Sequence, residues 1–361
     1  MTTAVEQRSR PKPAEAPAVG GRRRRDGLLR AGSTKAGGLV LAAGLLLVIA
    51  FASVAYGSKP IALGTVLDAF FGYDASNDHL IVRELRVPRT VVGLGVGVAL
   101  GLAGAVMQGV TRNPLADPGI FGVEAGAALA VVVAIHSFGV TSLTGYVWFA
   151  FAGAAVASVV VYGLGSVGRG GATPVKLALA GAAVAALFSS FTSAILLLDV
   201  DTLDQFRFWA VGSLAGRDAT VASHVAPFLL VGVVLALGSA RGLNALALGD
   251  DVARSLGQRV GWARGGAALA VIVCSGAAVA AAGPIGFVGL TVPHVARAIC
   301  GPDYRWVLPW SLLLAPSLLL GADIVGRVVA RPAELQVGIV TAFVGAPFFI
   351  ALVRRRKLAE L

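Results

Sequence analysis

The residue types that bind metal ions or act as nucleophiles are few and scattered in this chain. The four histidines have no metal-ligand spacing, and the two cysteines lie in or beside apolar runs; these residues are His79, His136, His224, His294, Cys274 and Cys300. The sequence has no Gly-x-x-x-x-Gly-Lys-Ser/Thr loop, the motif that cradles the phosphates of ATP. It also has no paired carboxylates or Ser/His set suited to catalysis. We therefore expect neither an enzyme nor a metal protein, and no ATP bound by this chain itself.

Charged side chains beside or within apolar runs are the stronger signal. Glu124 and Asp323 fall in otherwise apolar segments, and ionisable groups at membrane depth usually serve a function. Arg86 and Arg89 stand just before an apolar run, where long cations can also simply reach back to lipid headgroups. Arg327 follows Asp323 by four residues, so an ion pair within one helix would also explain it.

The elements that position these residues are membrane helices. Of 361 residues, 57% are hydrophobic and 14% are charged, and the mean hydropathy is +0.81. These values exclude an ordinary soluble domain and predict an all-α polytopic protein of the plasma membrane. The net charge of +11 is partly local, because Arg22 to Arg25 form a basic run. We predict that residues 1–35 are a disordered cytoplasmic tail that contacts anionic headgroups rather than nucleic acid.

Residues 36–357 form the predicted transmembrane domain, with about ten spans. The spans centre on Gly37–Tyr56, Thr90–Val110, Gly122–Phe138, Tyr146–Val167, Val175–Leu198, Val221–Ser239, Gly265–Ala282, Gly286–Ile299, Val307–Val329 and Val337–Val353. Placing both termini in the cytoplasm puts 22 of the 30 Lys and Arg residues inside, as the positive-inside rule requires. In this topology Arg86, Arg89 and Arg327 lie at the outer side, against the bias.

Residues 240–264 are a polar interruption between two spans that still carries apolar side chains at helical spacing. Leu243 and Leu246 predict one short helix, which Gly249 ends, and Asp250 is a candidate N-cap for a second. Apolar residues recur every four positions in the second helix, at Val252, Leu256 and Val260. Apolar faces at the cytoplasmic side need either a protein partner or a headgroup surface, and the spacing leaves both open.

The loop after the second span reads Arg112-Asn113-Pro114-Leu115-Ala116-Asp117-Pro118-Gly119. Two prolines with Asn and Gly predict a rigid turn. Such a turn either joins two spans or forms a constriction between them.

Four blocks of the sequence together resemble the FecCD-type permease family, the membrane subunits of type II ABC importers for iron-siderophores, haem and cobalamin. The blocks are RVPRTVVGLGVGVALGLAGAVMQGVTRNPLADPGIFGVEAGAA from Arg86, LNALALGDDVARSLG from Leu243, GPIGFVGLTVPHVAR from Gly283 and ADIVGRVVARPAELQVGIVTAFVGAPFFI from Ala322. The similarity covers about residues 36 to 357. It implies the type II importer permease fold, with ten spans in each subunit.

The resemblance also implies partners. Two permease subunits, either copies of this chain or this chain and a close homologue, would surround a path through the membrane. Two separate ATPase subunits would bind ATP and Mg²⁺, and an extracytoplasmic binding protein would deliver the substrate. No cofactor and no nucleic acid is expected on this chain.

Site residues follow from the matched motifs. ATPase coupling is assigned to Leu243, Leu246, Leu248, Gly249, Asp250, Ala253, Leu256 and Gly257. Binding-protein docking is assigned to Arg86, Arg89 and Arg327. The inner gate is assigned to Asn113, Pro114 and Leu115, and to Thr173 and Pro174 before the fifth span.

The expected function is therefore ATP-driven uptake of a metal chelate by alternating access. A ferric siderophore is the first expectation for the substrate, with haem or cobalamin as the alternative. The alternative from a different functional class is a secondary transporter, which would need no ATPase. Such a protein would be expected to carry more intramembrane acids and histidines than this one does.

Overall fold

The computed structural model describes residues 27–168 and 173–354, and regular structure in these ranges is helical. Within these ranges, seven helices are long and apolar enough to cross a membrane. Five of them are single α-helices: α1 (Gly32–Ala55), α6 (Leu143–Ser166), α7 (Pro174–Leu198), α9 (Ala219–Gly238) and α12 (Val260–Ala282). Another is α14 (Tyr304–Val329), and the last joins α3 (Asn77–Leu80), a π-helical stretch (Ile81–Arg86) and α4 (Val87–Thr111).

Shorter helices complete the described chain. Three are apolar and overlap predicted spans: α5 (Val123–Phe138), α13 (Val288–Cys300) and α15 (Val337–Arg354). The others are α2 (Leu63–Phe71), a 3-10 turn (Pro118–Phe121), α8 (Val200–Ala210), α10 (Ala240–Leu246) and α11 (Asp250–Ser255). Following the predicted orientation, we call the end of the bundle that carries α10 and α11 the inner end, and the end that carries α2 the outer end.

The eighth predicted span, Gly286–Ile299, differs most from the structure. Helix α13 has 13 residues, which is about 20 Å of helix and shorter than a hydrocarbon core of about 30 Å. A Cβ atom added to Gly104 would come within 1.9 Å of the backbone oxygen of Gly289. Helix α13 therefore begins beside the inner half of α4. Residues 283–287 reach that point from the outer end of α12 without forming a helix. Ten full spans with both termini inside therefore stay a prediction, which seven long helices support.

Helix α4 is the centre of the bundle, and it packs against α1, α9, α12, α13 and α14. Its glycines let the neighbouring backbones approach closely, as small residues do at helix interfaces in membranes. Gly97 lies against the backbone of Pro316 in α14, and Gly104 lies against Gly289 in α13. A side chain at Gly104 would therefore push α13 away from α4.

The chain before the first span is partly fixed. The amides of Leu28 and Leu29 donate to the carbonyls of Ala298 (3.1 Å) and Ile299 (2.9 Å) at the end of α13. These bonds satisfy carbonyls that the end of a helix leaves without partners. Helix α1 begins at Gly32, before the predicted domain boundary at residue 36. Most of the predicted tail, residues 1–26, lies outside the described residues.

We expect cysteines at Ala75 and Ala247 to react with membrane-impermeant thiol reagents from opposite sides. Both positions are exposed, and both native cysteines, Cys274 and Cys300, are buried, so background labelling should be low. In intact cells, a cysteine at position 75 should be labelled at once, and one at position 247 only after permeabilisation. Labelling of both from the same side would contradict the predicted topology.

Candidate functional sites at the two ends of the bundle

At the inner end, α10 and α11 form a compact pair whose apolar residues divide into two groups. Leu246, Ala253 and Val260 are buried together in a small cluster, and Leu243 belongs to the main core. Gly249 with a φ of +102° and Gly257 with a φ of +79° make the turns before and after α11. Other residue types rarely adopt such angles. The two glycines therefore decide which side chains of this segment face inward.

The second group is exposed. Leu248 is 57% accessible, Val252 47% and Leu256 66%. We call these three residues the inner apolar patch. The predicted stripe of Val252, Leu256 and Val260 is wrong, because α11 ends at Ser255 and the turn at Gly257 sends Val260 into the interior. Of the leucines assigned to coupling, only Leu248 and Leu256 are free to contact another protein.

Asp250 ties this segment to the rest of the inner end. It is the first residue of α11 rather than its N-cap, which is Gly249. Its Oδ1 accepts hydrogen bonds from Arg112 Nη2 at 2.5 Å and from Arg264 Nη2 at 2.9 Å. Arg112 ends α4 and Arg264 lies in the first turns of α12. Asp250 therefore joins α11 to both of these helices.

A second attachment joins α10 to α14. Asn244 donates from Nδ2 to Asp303 Oδ1 at 2.6 Å, and its Oδ1 accepts from the amide of Tyr304 at 2.9 Å. Asp303 is the N-cap of α14. The inner apolar patch is thus carried by a segment that is bonded to α4, α12 and α14, so a displacement of the patch would be passed to these three helices.

The predicted gate turn lies beside this segment. Arg112 has a left-handed φ of +52°, and Asn113 Oδ1 accepts from the amide of Leu115 at 2.9 Å, which closes an Asx turn. Pro114 lines a cavity of about 190 Å³ together with Arg112, Ala247 and Arg297. The rigid turn expected from the sequence is present. It lines this cavity together with Ala247, the residue that caps the C-terminus of α10.

The other predicted gate residues begin α7. Thr173 is the N-cap, and its hydroxyl accepts from the amide of Lys176 at 3.4 Å. Pro174 is the first residue of the helix. Helix α7 packs against the 3-10 turn that follows the Asn113 turn. Residues 169–172, which precede Thr173, lie outside the described residues.

We expect Asp250→Asn to slow transport while the ATPase stays bound. The substitution replaces two charge-assisted hydrogen bonds with weaker ones but leaves the inner apolar patch in place. Because the pairs are partly exposed, each contributes about 0.2–1 kcal/mol to stability, so the fold should persist. Transport per ATP hydrolysed in proteoliposomes should fall several-fold.

The matched control for Asp250→Asn is Asp251→Asn. The Asp251 side chain is 98% exposed, and among the described residues it pairs with Arg254 alone, in its own helix. This variant should transport as wild type does. Equal transport by the two variants would show that Asp250 transmits nothing.

At the outer end, arginines close the end of α1. Arg86 donates to the carbonyls of Val54 (3.0 Å), Ala55 (2.6 Å) and Lys59 (2.5 Å). Arg327 donates to the carbonyls of Ser53 and Tyr56, both at 2.9 Å. A helix leaves its last carbonyls unpaired, and cationic side chains commonly satisfy them.

Carboxylates complete this arrangement. Asp323, which is fully buried, pairs with Arg89 at 2.7 Å and with Arg327 at 3.0 Å, and Glu334 pairs with Arg89 at 2.7 Å. We call Arg86, Arg89, Arg327, Asp323 and Glu334 the outer clasp. The intrahelical pair of Asp323 and Arg327 is present, as one explanation from the sequence had it.

The three arginines assigned to docking are thus buried and bonded within the chain, with exposures of 5% for Arg86, 9% for Arg89 and 2% for Arg327. This differs from the expectation of outward-facing cations. A basic residue on the outer side satisfies the same sequence pattern whether it docks a partner or caps a helix. Docking by these arginines stays a prediction, since a partner would meet them only through the cavity described next.

The outer clasp lines a cavity of about 400 Å³. Its walls come from the loop after α1, the π-helical stretch, the loop between α8 and α9, and the end of α14; charged lining residues are Lys59, Glu84, Arg86, Arg89, Arg217, Asp218, Arg327 and Glu334. Five cations and three anions give this outer cavity a net positive lining. Arg217 and Glu334 were not predicted as site residues, because their position at the cavity depends on contacts between distant helices.

Glu124, singled out by its membrane depth, lies in the first turn of α5. It lines a cavity of about 10 Å³ with Asp117 and Ser275, which is about the space of one water molecule. Burial raises the pKa of Asp117, which lies in the loop before α5. Glu124 is therefore placed beside the gate turn rather than in a relay across the membrane.

Comparison with known proteins gives consistent results. The model of the FecCD transport family matches residues 45–355. The chain is 50% identical over 314 residues to the ferric enterobactin transport system permease protein FepD of Escherichia coli (strain K12), covering 86% of this chain and 93% of that protein. It is 43% identical over 305 residues to the Fe(3+)-citrate import system permease protein YfmD of Bacillus subtilis (strain 168), covering 84% and 90%.

Two further similarities extend this result. The hemin transport system permease protein HmuU of Yersinia pestis is 36% identical over 320 residues, covering 87% of this chain and 94% of that protein. A solved structure described as an inward-facing conformation of a metal-chelate type ABC transporter superposes with a TM-score of 0.78 at 28% identity, covering 89% of this chain and 99% of that one. Relatives named for ferric enterobactin, Fe(3+)-citrate and hemin thus share a sequence pattern with this chain, and the solved structure shares its fold.

Proposed function

The chain belongs to the FecCD transport family, and from that premise we propose that it is the membrane permease subunit of an ATP-driven importer of a ferric siderophore. The observation that carries the proposal is the inner apolar patch. Leu248, Val252 and Leu256 are exposed on a segment that is itself firmly bonded to α4, α12 and α14. Apolar side chains on a rigid inner segment fit the groove of a partner that moves it.

The proposed mechanism is alternating access driven from the inner end. ATP binding closes the two ATPase subunits, whose grooves hold the inner apolar patch of each permease. The movement passes through Asp250 to Arg112 and the Asn113 turn, and through Asn244 to α14. The inner gate then closes while the outer side opens to the binding protein. ATP and Mg²⁺ act on the ATPase, and this chain supplies the path and its gates.

We propose that a second permease subunit, two ATPase subunits and an extracytoplasmic binding protein complete the transporter. The outer end supports docking of the binding protein through the positive lining of the outer cavity. In this proposal the clasp arginines Arg86, Arg89 and Arg327 are not free surface cations. They contribute to the positive electrostatic potential of the cavity, which attracts acidic groups of the binding protein. Such a field mainly raises the association rate and makes it sensitive to salt.

A ferric siderophore is proposed as the substrate because the 50% identical relative is named as a ferric enterobactin transport permease. Haem is the alternative supported by the Yersinia pestis relative, and cobalamin is the third candidate. The test is uptake of ⁵⁵Fe-enterobactin, ⁵⁵Fe-citrate, haem and cobalamin by cells that carry the complete transporter and lack other importers. Uptake of haem or cobalamin in preference to both ferric chelates would contradict the siderophore assignment.

A further inference from the structure

Four arginines line the outer cavity, and one of them is different from the rest. Arg86, Arg89 and Arg327 each donate several hydrogen bonds within the chain. Arg217 is equally buried, at 5% exposure, yet within the described chain its only hydrogen bond is from Nε to the carbonyl of Ser213 at 3.3 Å. Within residues 27–168 and 173–354, its two terminal nitrogens have neither a hydrogen bond nor an ion pair. The side chain is otherwise buried while the guanidinium lines the outer cavity, so an anion in that cavity is the partner that these nitrogens can reach.

The loop that carries Arg217 is held in place. The amide of Ser213 donates to the carbonyl of Ala282 at 2.7 Å, and the carbonyl of Gly212 accepts from the amide of Gly338 at 3.1 Å. The first bond fixes the loop to the end of α12, and the second fixes it to the start of α15. Arg217 is therefore presented to the cavity by a preorganised backbone rather than by a mobile loop.

The neighbouring acid does not neutralise Arg217. The Oδ1 of Asp218 accepts from the amide of Val221 at 2.9 Å, because Asp218 caps α9. Burial lowers the pKa of Arg217 to about 10, and the nearby charge of Asp218 offsets this only in part. An anion that entered the cavity would restore the missing charge partner.

We propose that Arg217 is the recognition cation of a carboxylate-binding site in the outer cavity. The planar guanidinium fork matches a carboxylate with two parallel hydrogen bonds. The five cations and three acids of the lining leave it net positive, which favours an anionic ligand such as a carboxylate. The inference rests on the proposed function, in which the carboxylate comes either from the chelate or from an acidic side chain of the docked binding protein.

Citrate titration of the purified permease in nanodiscs, without binding protein or ATPase, tests the site. Wild type should bind citrate saturably, and Arg217→Gln should weaken that binding roughly ten-fold or more, as loss of a buried charge-assisted pair does. The matched control is Arg207→Gln. Arg207 lies on the outer side of the chain, its side chain is 58% exposed, and it pairs with Asp204. Equal affinity of the two variants for citrate would overturn the proposal.

Capture of the substrate-free binding protein distinguishes the two sources. If Arg217→Gln also weakens capture relative to Arg207→Gln, the carboxylate belongs to the binding protein. If capture is unchanged while citrate binding falls, it belongs to the chelate. ATP-dependent uptake by wild type is measured separately, so failure of the site leaves the proposed function standing.

A measurement on the unaltered chain guards against misfolding of Arg217→Gln. Phenylglyoxal modifies arginines, and mass spectrometry locates the modified residues. Saturating citrate should protect Arg217 and leave Arg207 unprotected. Equal modification of Arg217 with and without citrate would overturn the proposal even if the variant could not be purified.

Discussion

Changing Leu248 and Leu256 together to Asp is expected to separate the permease from its ATPase and to abolish transport. Both side chains are exposed in the subunit and belong to the inner apolar patch. Each leucine buried on binding contributes about 1.5–3 kcal/mol, so losing both weakens the association by about a hundred-fold or more. The measurements are the yield of ATPase in a pull-down on the tagged permease and uptake in proteoliposomes.

The control for this variant is Leu248→Met with Leu256→Met, which keeps apolar side chains of similar size at both positions. It should retain the ATPase and transport. Leu246 is left unchanged, because it is buried in the segment and its substitution would damage α10 and α11 themselves. Recovery of the ATPase at wild-type yield with the Asp variant would mean that the patch lies on lipid headgroups instead.

Asp323→Asn is expected to destabilise the permease more than replacement of any other single Asp or Glu residue by its amide. Asp323 is fully buried and pairs with both Arg89 and Arg327. Removing its charge leaves Arg89 paired with Glu334 alone and leaves the buried Arg327 without its carboxylate partner. Breaking a buried ion pair in this way costs about 3–5 kcal/mol. The apparent melting temperature of the detergent-solubilised protein should fall sharply, and the expression yield with it.

Asp204→Asn serves as the comparison for Asp323→Asn. Asp204 pairs with Arg207 at 3.1 Å, and both side chains are more than half exposed. Such a surface pair contributes about 0–1 kcal/mol, so the melting temperature should barely change. If the two variants melt at the same temperature, the outer clasp does not hold the end of α1 in place.

The helices were predictable because apolar runs and their interruptions are local features of the sequence. The long spans, the pair of short inner helices and the rigid Asn113 turn all follow from hydropathy, glycine and proline. The prediction was wrong at Val260, because a four-residue spacing does not reveal that Gly257 adopts a φ of +79° and turns the chain. Whether the short helix α13 crosses the whole membrane stays a prediction, since hydropathy does not show at what depth a helix starts.

Long-range partners were beyond reach of the sequence. Arg89 and Asp323 are 234 residues apart, and Arg112 and Asp250 are 138 apart. Nothing near Arg86 or Arg89 indicates that their guanidinium groups turn inward to α1 and α14 rather than outward. Arg217 is the clearest case. Its terminal nitrogens have no partner within the described residues, and this contrast with the other cavity arginines can be seen only in the folded structure.

The most direct test of the central claim is substrate uptake into proteoliposomes that hold the permease with or without its ATPase. The binding protein and a ferric siderophore are added outside the vesicles, and ATP is enclosed inside them. Only permeases whose outer end faces the outside of the vesicle can then take up substrate. We predict uptake only when the ATPase and hydrolysable ATP are both present, and none with a non-hydrolysable analogue. Uptake by the permease alone, driven by an ion gradient, would contradict this account and identify a secondary transporter.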